Sequence, residues 1–168
     1  MARKAWAAFG SLLFLVLAPG IVAGLVPWWI SRWEIGPSGF GHGIVRVAGA
    51  VLLAAGILGL LDSFARFAIQ GIGTPAPVFP TRRLVVKGLY RHVRNPMYVA
   101  VVALILGQAL VFGNWRLFAY AALIWLCFHA FVVAYEEPTL RKSFGAEYET
   151  YRANVPRWLP RLRPWRAG

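Results

Sequence analysis

What most constrains this chain is a set of long runs without one charged side chain. Ala5 to Ile30 is 26 residues of this kind, Asn95 to Asn114 is 20, and Leu117 to Tyr135 is 19. A helix crosses a bilayer core with about 20 apolar residues. Lipid offers no partner to an open backbone amide, so such runs are read as helices. A cleaved leader has an apolar stretch of only about 7–15 residues, which the first run exceeds. A fourth run, Ile44 to Phe67, holds only Arg46, Asp62 and Arg66. Asp62 and Arg66 are four apart, so they share a helix face and can pair. Composition agrees: 14% of residues are charged and 59% hydrophobic, against about 25% charged in soluble domains.

The expectation is an all-α integral membrane protein of about four transmembrane helices. The spans fall at about 5–30, 44–67, 96–113 and 117–135, within a single membrane domain, 1–168. Gly113-Asn114-Trp115-Arg116 reads as a tight turn, making the last two spans a helical hairpin. Asn95-Pro96 reads as an N-cap followed by proline at the first helical position. Pro75, Pro77 and Pro80 favour an extended segment over Gly71–Pro80. Leu140, Phe144, Tyr148 and Tyr151 fall on one face of a C-terminal amphipathic helix. Beyond it, Trp158 and Trp165 among prolines and arginines suit a tail lying on the headgroup layer.

Net charge is +12. The cations lie between apolar runs and not on a soluble face, which argues against nucleic acid and for membrane lipid as the partner. Fifteen of the eighteen Lys and Arg fall before span one, between spans two and three, or after span four. The positive-inside rule then puts both termini in the cytoplasm. An Ala- and Arg-rich composition suggests a bacterial cytoplasmic membrane. Cys127, the single cysteine, excludes an intrachain disulfide and reads as a packing residue.

Chemistry-bearing residues gather in two stretches. The first, Gly88 to Tyr98, holds two tyrosines, cations and a helix start, whose free amides suit an anion. It reads equally as an ordinary basic loop with a capped helix. The second is Tyr135-Glu136-Glu137-Pro138, where two of only six acidic residues stand side by side. His129 precedes Glu136 by seven residues, about 20° apart around an α-helix, so they are expected on one face. A packing histidine is the plainer role. The hairpin is expected to bring Tyr90, Arg94, Asn95 and Tyr98 near Glu136 and Glu137. No metal site is expected.

These residues resemble a known family. Gly88-x-Tyr90-x-x-x-Arg94-Asn95-Pro96-Met97-Tyr98, then Glu136-Glu137-Pro138, is similar to the isoprenylcysteine carboxyl methyltransferase and phospholipid methyltransferase superfamily. Phe144-Gly145 to Tyr151 and Val155-Pro156-Arg157-Trp158-Leu159-Pro160 resemble that family's ending, so the likeness covers about 70–162. The resemblance implies an integral membrane enzyme using S-adenosylmethionine, bound at the cytoplasmic face by the C-terminal half. It implies cofactor contacts for Leu84, Val85, Tyr90, Arg94, Asn95, Pro96, Met97, Tyr98 and Glu136. Glu137 or His129 would serve as base if the acceptor is an amine. The prenylcysteine enzymes carry an arginine four residues before that glutamate. Here the position is Val132, and the acceptor stays open between a prenylcysteine carboxylate and a phospholipid amine. Two other readings stand beside this one: an NADPH-dependent isoprenoid or sterol-type reductase, and a non-enzymatic membrane protein.

Overall fold

The computed structural model describes residues 17–36, 43–70 and 84–166. The first part of span one and the Gly71–Pro80 segment lie outside the described residues. Among the described residues, helix is present from Leu17, passes through a π turn at Ile21–Leu25 and continues as α1, Val26–Ser31. The cause of the irregularity is Pro27. It has no N–H to give the carbonyl four residues earlier, and an orphan carbonyl is costly in an apolar setting. Gln108 supplies the missing donor, its Nε2 lying 2.7 Å from the Ala23 carbonyl. The Tyr120 hydroxyl donates to the Val22 carbonyl at 3.0 Å, and Trp33 Nε1 donates to Gln108 Oε1 at 3.1 Å.

Helix α2, Gly43–Gln70, packs along α3, Pro96–Phe112. Small residues set how close the two come. A Cβ on Gly107 would meet Leu53 Cγ at 2.7 Å and the Gly49 carbonyl oxygen at 2.9 Å; one on Gly49 would meet the Gly107 oxygen at 2.9 Å. Backbone therefore lies on backbone, as in membrane helix pairs whose interfaces are lined with glycine. Leu60, Phe64, Ala100, Val101, Ile105 and Ala121 form the core beside this contact.

Gly113, left-handed at φ 64°, ends α3, and the Asn114 side chain accepts the Arg116 amide to start α4, Trp115–Phe131. The expected hairpin is present. After α4 the chain does not break. A π turn, Val132–Glu136, leads into α5, Glu137–Asn154, which bends at Gly145.

All regular structure among the described residues is helical. Two helical stretches, Gly43–Arg66 and Trp115–Asn154, are long and apolar enough to cross a membrane, while Leu17–Ser31 and Pro96–Phe112 are shorter apolar helices. Only 17% of the apolar window in each long stretch is buried. A soluble core helix would hide most of its apolar side chains. Here Leu58, Leu61, Leu123 and Leu126 point outward, each more than half exposed, as lipid-facing residues do.

Candidate functional site

Three residues of the loop before α3 dock on the end of α2. The loop forms a single 3₁₀ turn, Gly88–Arg91. Gly88 is left-handed at φ 57°, and a Cβ there would overlap the Arg66 guanidinium. Arg66 holds Asp62 with both ends of its fork, each contact 2.7 Å. The Leu89 amide bonds the same carboxylate. Next in line, Tyr90 is buried, its hydroxyl hydrogen-bonded to Ser63. Its carbonyl accepts the Tyr151 hydroxyl at 2.7 Å. Burial, reinforced by the nearby Glu136 charge, pushes the Tyr90 hydroxyl well above its ordinary pKa. It stays a neutral donor at any physiological pH.

The antiparallel hairpin returns α4 to the start of α3. There Tyr98 donates its hydroxyl to Glu136 Oε2 at 3.1 Å, with its ring 4.6 Å from that of Phe128. The two adjacent carboxyls meet opposite surroundings. Burial raises the Glu136 pKa, helped by the Glu137 charge, while the Tyr98 hydrogen bond opposes the rise. Burial also works against ionised Glu137, but its hydrogen bonds from Arg157 and the Arg94 charge outweigh this and lower its pKa. Arg94 Nη1 lies 2.8 Å from Glu137 Oε1; Arg157 Nε and Nη2 lie 2.6 Å and 3.0 Å from its two oxygens. The pair divides into one carboxyl held ionised and one pushed toward its protonated form. Arg94 also reaches the Tyr148 hydroxyl, while its buried Nε has no partner among the described residues.

The C-terminal tail runs along the loop before α3. The Arg94 amide donates to the Pro156 carbonyl at 2.9 Å, Arg161 to that of His92 at 3.0 Å, and Trp165 to that of Arg91 at 2.9 Å. Asn95, expected to cap α3 with its side chain, instead donates Nδ2 to the Arg157 carbonyl at 3.1 Å. A cap satisfies amides of its own helix; this contact ties the helix start to the tail.

His129 is not with Glu136. A π turn admits an extra residue relative to the α-helix, which rotates everything beyond it by about 100°. The seven-residue spacing then no longer keeps one face. His129 Nδ1 accepts the Trp158 indole N–H at 3.1 Å, and its ring lies 5.4 Å from that of Trp125. Glu137 is tied to two arginines and is a weak base in this setting.

The other expected residues surround the Tyr98–Glu136 contact in part. Leu84 packs with Leu140 and Phe144 against Tyr148, Tyr151 and Val155. Pro96 is buried at the first position of α3, and Met97 packs on the helical core. Val85 is half-buried. Sequence reasoning missed Ser63 and Arg157. Ser63 offered one signal, a hydroxyl inside an apolar run beside Asp62; Arg157 was indistinguishable from the other tail cations.

Comparisons with known proteins converge on these elements. The family model described as phospholipid methyltransferase matches residues 44–147, from α2 through the site to α5. The chain is 35% identical over 78 residues to a protein-S-isoprenylcysteine O-methyltransferase of Schizosaccharomyces pombe, covering 46% of this chain and 33% of that one. It thus spans about a third of that relative. It is 33% identical over 63 residues to an uncharacterized protein of Haemophilus influenzae, covering 38% of this chain and 100% of that one. No solved structure matches. With more than half of its length matched by the family model, the chain belongs to the phospholipid methyltransferase family.

Proposed function

We propose that this protein transfers the methyl group of S-adenosylmethionine to a lipophilic acceptor at the membrane end where α3 begins and α4 finishes. The observation that carries the reading is the 3.1 Å contact between Tyr98 and Glu136 in a chain of this family. It sets a carboxyl of raised pKa against the Tyr98 hydroxyl, with Arg94 on the neighbouring carboxyl of Glu137.

The residues fit the cofactor. Its ammonium and ribose hydroxyls need an acceptor, and Glu136 Oε1 has no hydrogen-bond partner among the described residues. Its carboxylate needs donors, and Arg94 Nε is a buried donor with no acceptor among the described residues. Leu84, Leu140 and Phe144 offer apolar surface for a purine. When bound, the cofactor supplies an already activated methyl group, which leaves the protein to bind, align and exclude water. Tyr90 stays a neutral donor, and Tyr98 gives its hydroxyl to Glu136. Glu137 keeps Arg94 and Arg157 in place, and through them the tail against the loop, which makes it a positioning residue. A carboxylate acceptor needs no base. For an amine acceptor Glu136 is the better base, since its pKa is raised where that of Glu137 is lowered. His129 stands apart with Trp158.

The same reading includes four membrane crossings, both termini in the cytoplasm by the positive-inside rule, and an acceptor arriving sideways from the bilayer. The test is incubation of purified protein with methyl-labelled S-adenosylmethionine and a lipid extract. Label entering the organic phase, reduced at least tenfold in Glu136→Gln, supports the reading. Label transfer undiminished in that variant removes Glu136 from the site.

A further inference from the structure

A cavity of about 500 Å³ is bounded by α2, the 3₁₀ turn and Pro164 of the tail. That volume is within the usual range for small-molecule sites, about 300–1,000 Å³. Tyr98, Glu136 and Glu137 do not line it.

Its walls differ from end to end. Ala55, Leu58 and Gly59 make an apolar side; Asp62, Arg66, Arg91 and His92 make a polar one. Val51, Ala55, Leu58 and Asp62 recur at spacings of four, three and four, so they form one stripe along α2. Val51 is 63% exposed and Leu58 68%. The stripe runs about 16 Å along the helix, leading from lipid-facing surface into the cavity.

The charges at the polar end do not cancel. Asp62 and Arg66 neutralise each other through their two-pronged contact. Arg91 gives its Nε to the Trp165 carbonyl, and its terminal nitrogens have no partner among the described residues. His92 directs Nδ1 to the Arg161 carbonyl at 2.7 Å, which leaves Nε2 of the ring. The remaining charge is one guanidinium fork, whose geometry fits a phosphate. Among the described residues that line the cavity, the one carboxylate is already held by Arg66, so a cationic headgroup nitrogen would find no acceptor of its own.

We propose that this cavity seats the headgroup phosphate of an anionic membrane phospholipid, with an acyl chain along the Val51–Leu58 stripe. The inference requires a lipid-facing α2 and does not depend on methyl transfer. The source is the bilayer, because the apolar wall continues into the exposed face of the helix.

The test uses the full chain, delipidated in detergent and followed by native mass spectrometry. The probes are phosphatidylglycerol, phosphatidylcholine of the same acyl chains, and sn-glycerol 3-phosphate. Phosphatidylglycerol is expected to bind at least about tenfold tighter than either other probe, because choline would place an unpaired cation beside Arg91 and glycerol phosphate has no acyl chain for the stripe. Arg91→Gln should remove that preference. Because Arg91 also bonds the tail, Ala55→Trp serves as the second variant: it fills the apolar side, touches no charge, and should weaken phosphatidylglycerol about tenfold. Equal binding of the two lipids overturns the proposal. So does glycerol phosphate binding as tightly as the lipid, or phosphatidylglycerol binding that survives both variants unchanged.

Discussion

Replacing Gly88 by alanine perturbs two things at once, and their sum can be worked out beforehand. Gly88 has φ 57°, where an L side chain costs about 1–2 kcal/mol. The new methyl would also overlap the Arg66 guanidinium, so that side chain must leave its place on Asp62. The two side chains are 31% and 33% exposed, and ion pairs so near water contribute about 0.2–1 kcal/mol. Gly88→Ala should therefore lower stability by about 1–3 kcal/mol, and Arg66→Ala alone by up to about 1 kcal/mol. The double variant has no guanidinium to displace and keeps only the backbone cost. It should be less destabilised than the sum of the two single variants. Reversible unfolding in detergent, followed by tryptophan fluorescence, measures all four corners of the cycle. Gly88→Ala within about 0.5 kcal/mol of the parent, the ordinary surface range, or strictly additive variants, would refute the reasoning.

Gln108→Leu removes the donor to the Ala23 carbonyl and the acceptor for Trp33; it should cost about 1–3 kcal/mol in the same unfolding assay. Gly107→Leu forces backbones apart where a Cβ already meets Leu53 Cγ at 2.7 Å, and should abolish recovery of folded protein, whereas Gly113→Asn, at a left-handed turn with open space around it, should be recovered normally. The adjacent glutamates should respond oppositely to charge removal. Glu137 has a lowered pKa when folded, so its stabilisation is present above the ordinary carboxyl value and lost as pH falls through the folded one. Glu137→Gln should thus melt lower than the parent at pH 7, with a smaller loss on acidification. Glu136 has a raised folded pKa, so its ionisation costs stability as pH rises through that window, and Glu136→Gln should melt no lower than the parent at pH 7.

The parts of this protein legible in its sequence are those written in local pattern. Uncharged runs locate the helices because lipid tolerates little else there, and a two-residue turn with glycine and asparagine fixes the hairpin. That hairpin is what joins Tyr98 to Glu136 across 38 residues. The motif from Gly88 to Tyr98 gave the family, which the match over 44–147 bears out. What was not legible depends on register and on long-range partners. Seven residues mean one face only in an unbroken α-helix, and the signal for the π turn lies just beyond it, at Pro138, which follows Val132–Glu136 as Pro27 follows Ile21–Leu25. The tail reads as an interfacial segment by composition, and nothing local shows that its backbone finds partners in Arg91–Arg94, 62 to 74 residues earlier. Asn95 does stand at the N-cap position ahead of Pro96, but its side chain makes no cap bond and gives Nδ2 to the Arg157 carbonyl. Glu137 is a candidate base in the sequence only for an amine acceptor, and only three-dimensional contact identifies Arg94 and Arg157 as its counter-ions.

The central claim, a methyltransferase site built around Glu136, is tested most directly by ligand-induced stabilisation. Thermal unfolding of the detergent-purified protein would be followed with S-adenosylmethionine, S-adenosylhomocysteine or NADPH, each at a hundredfold excess over its dissociation constant. A ligand bound only to the folded state then adds about 2.7 kcal/mol. The account predicts a rise in melting temperature with the first two and none with NADPH, and a smaller rise in Glu136→Gln. Stabilisation by NADPH alone, or by none of the three in well-folded protein, would contradict it.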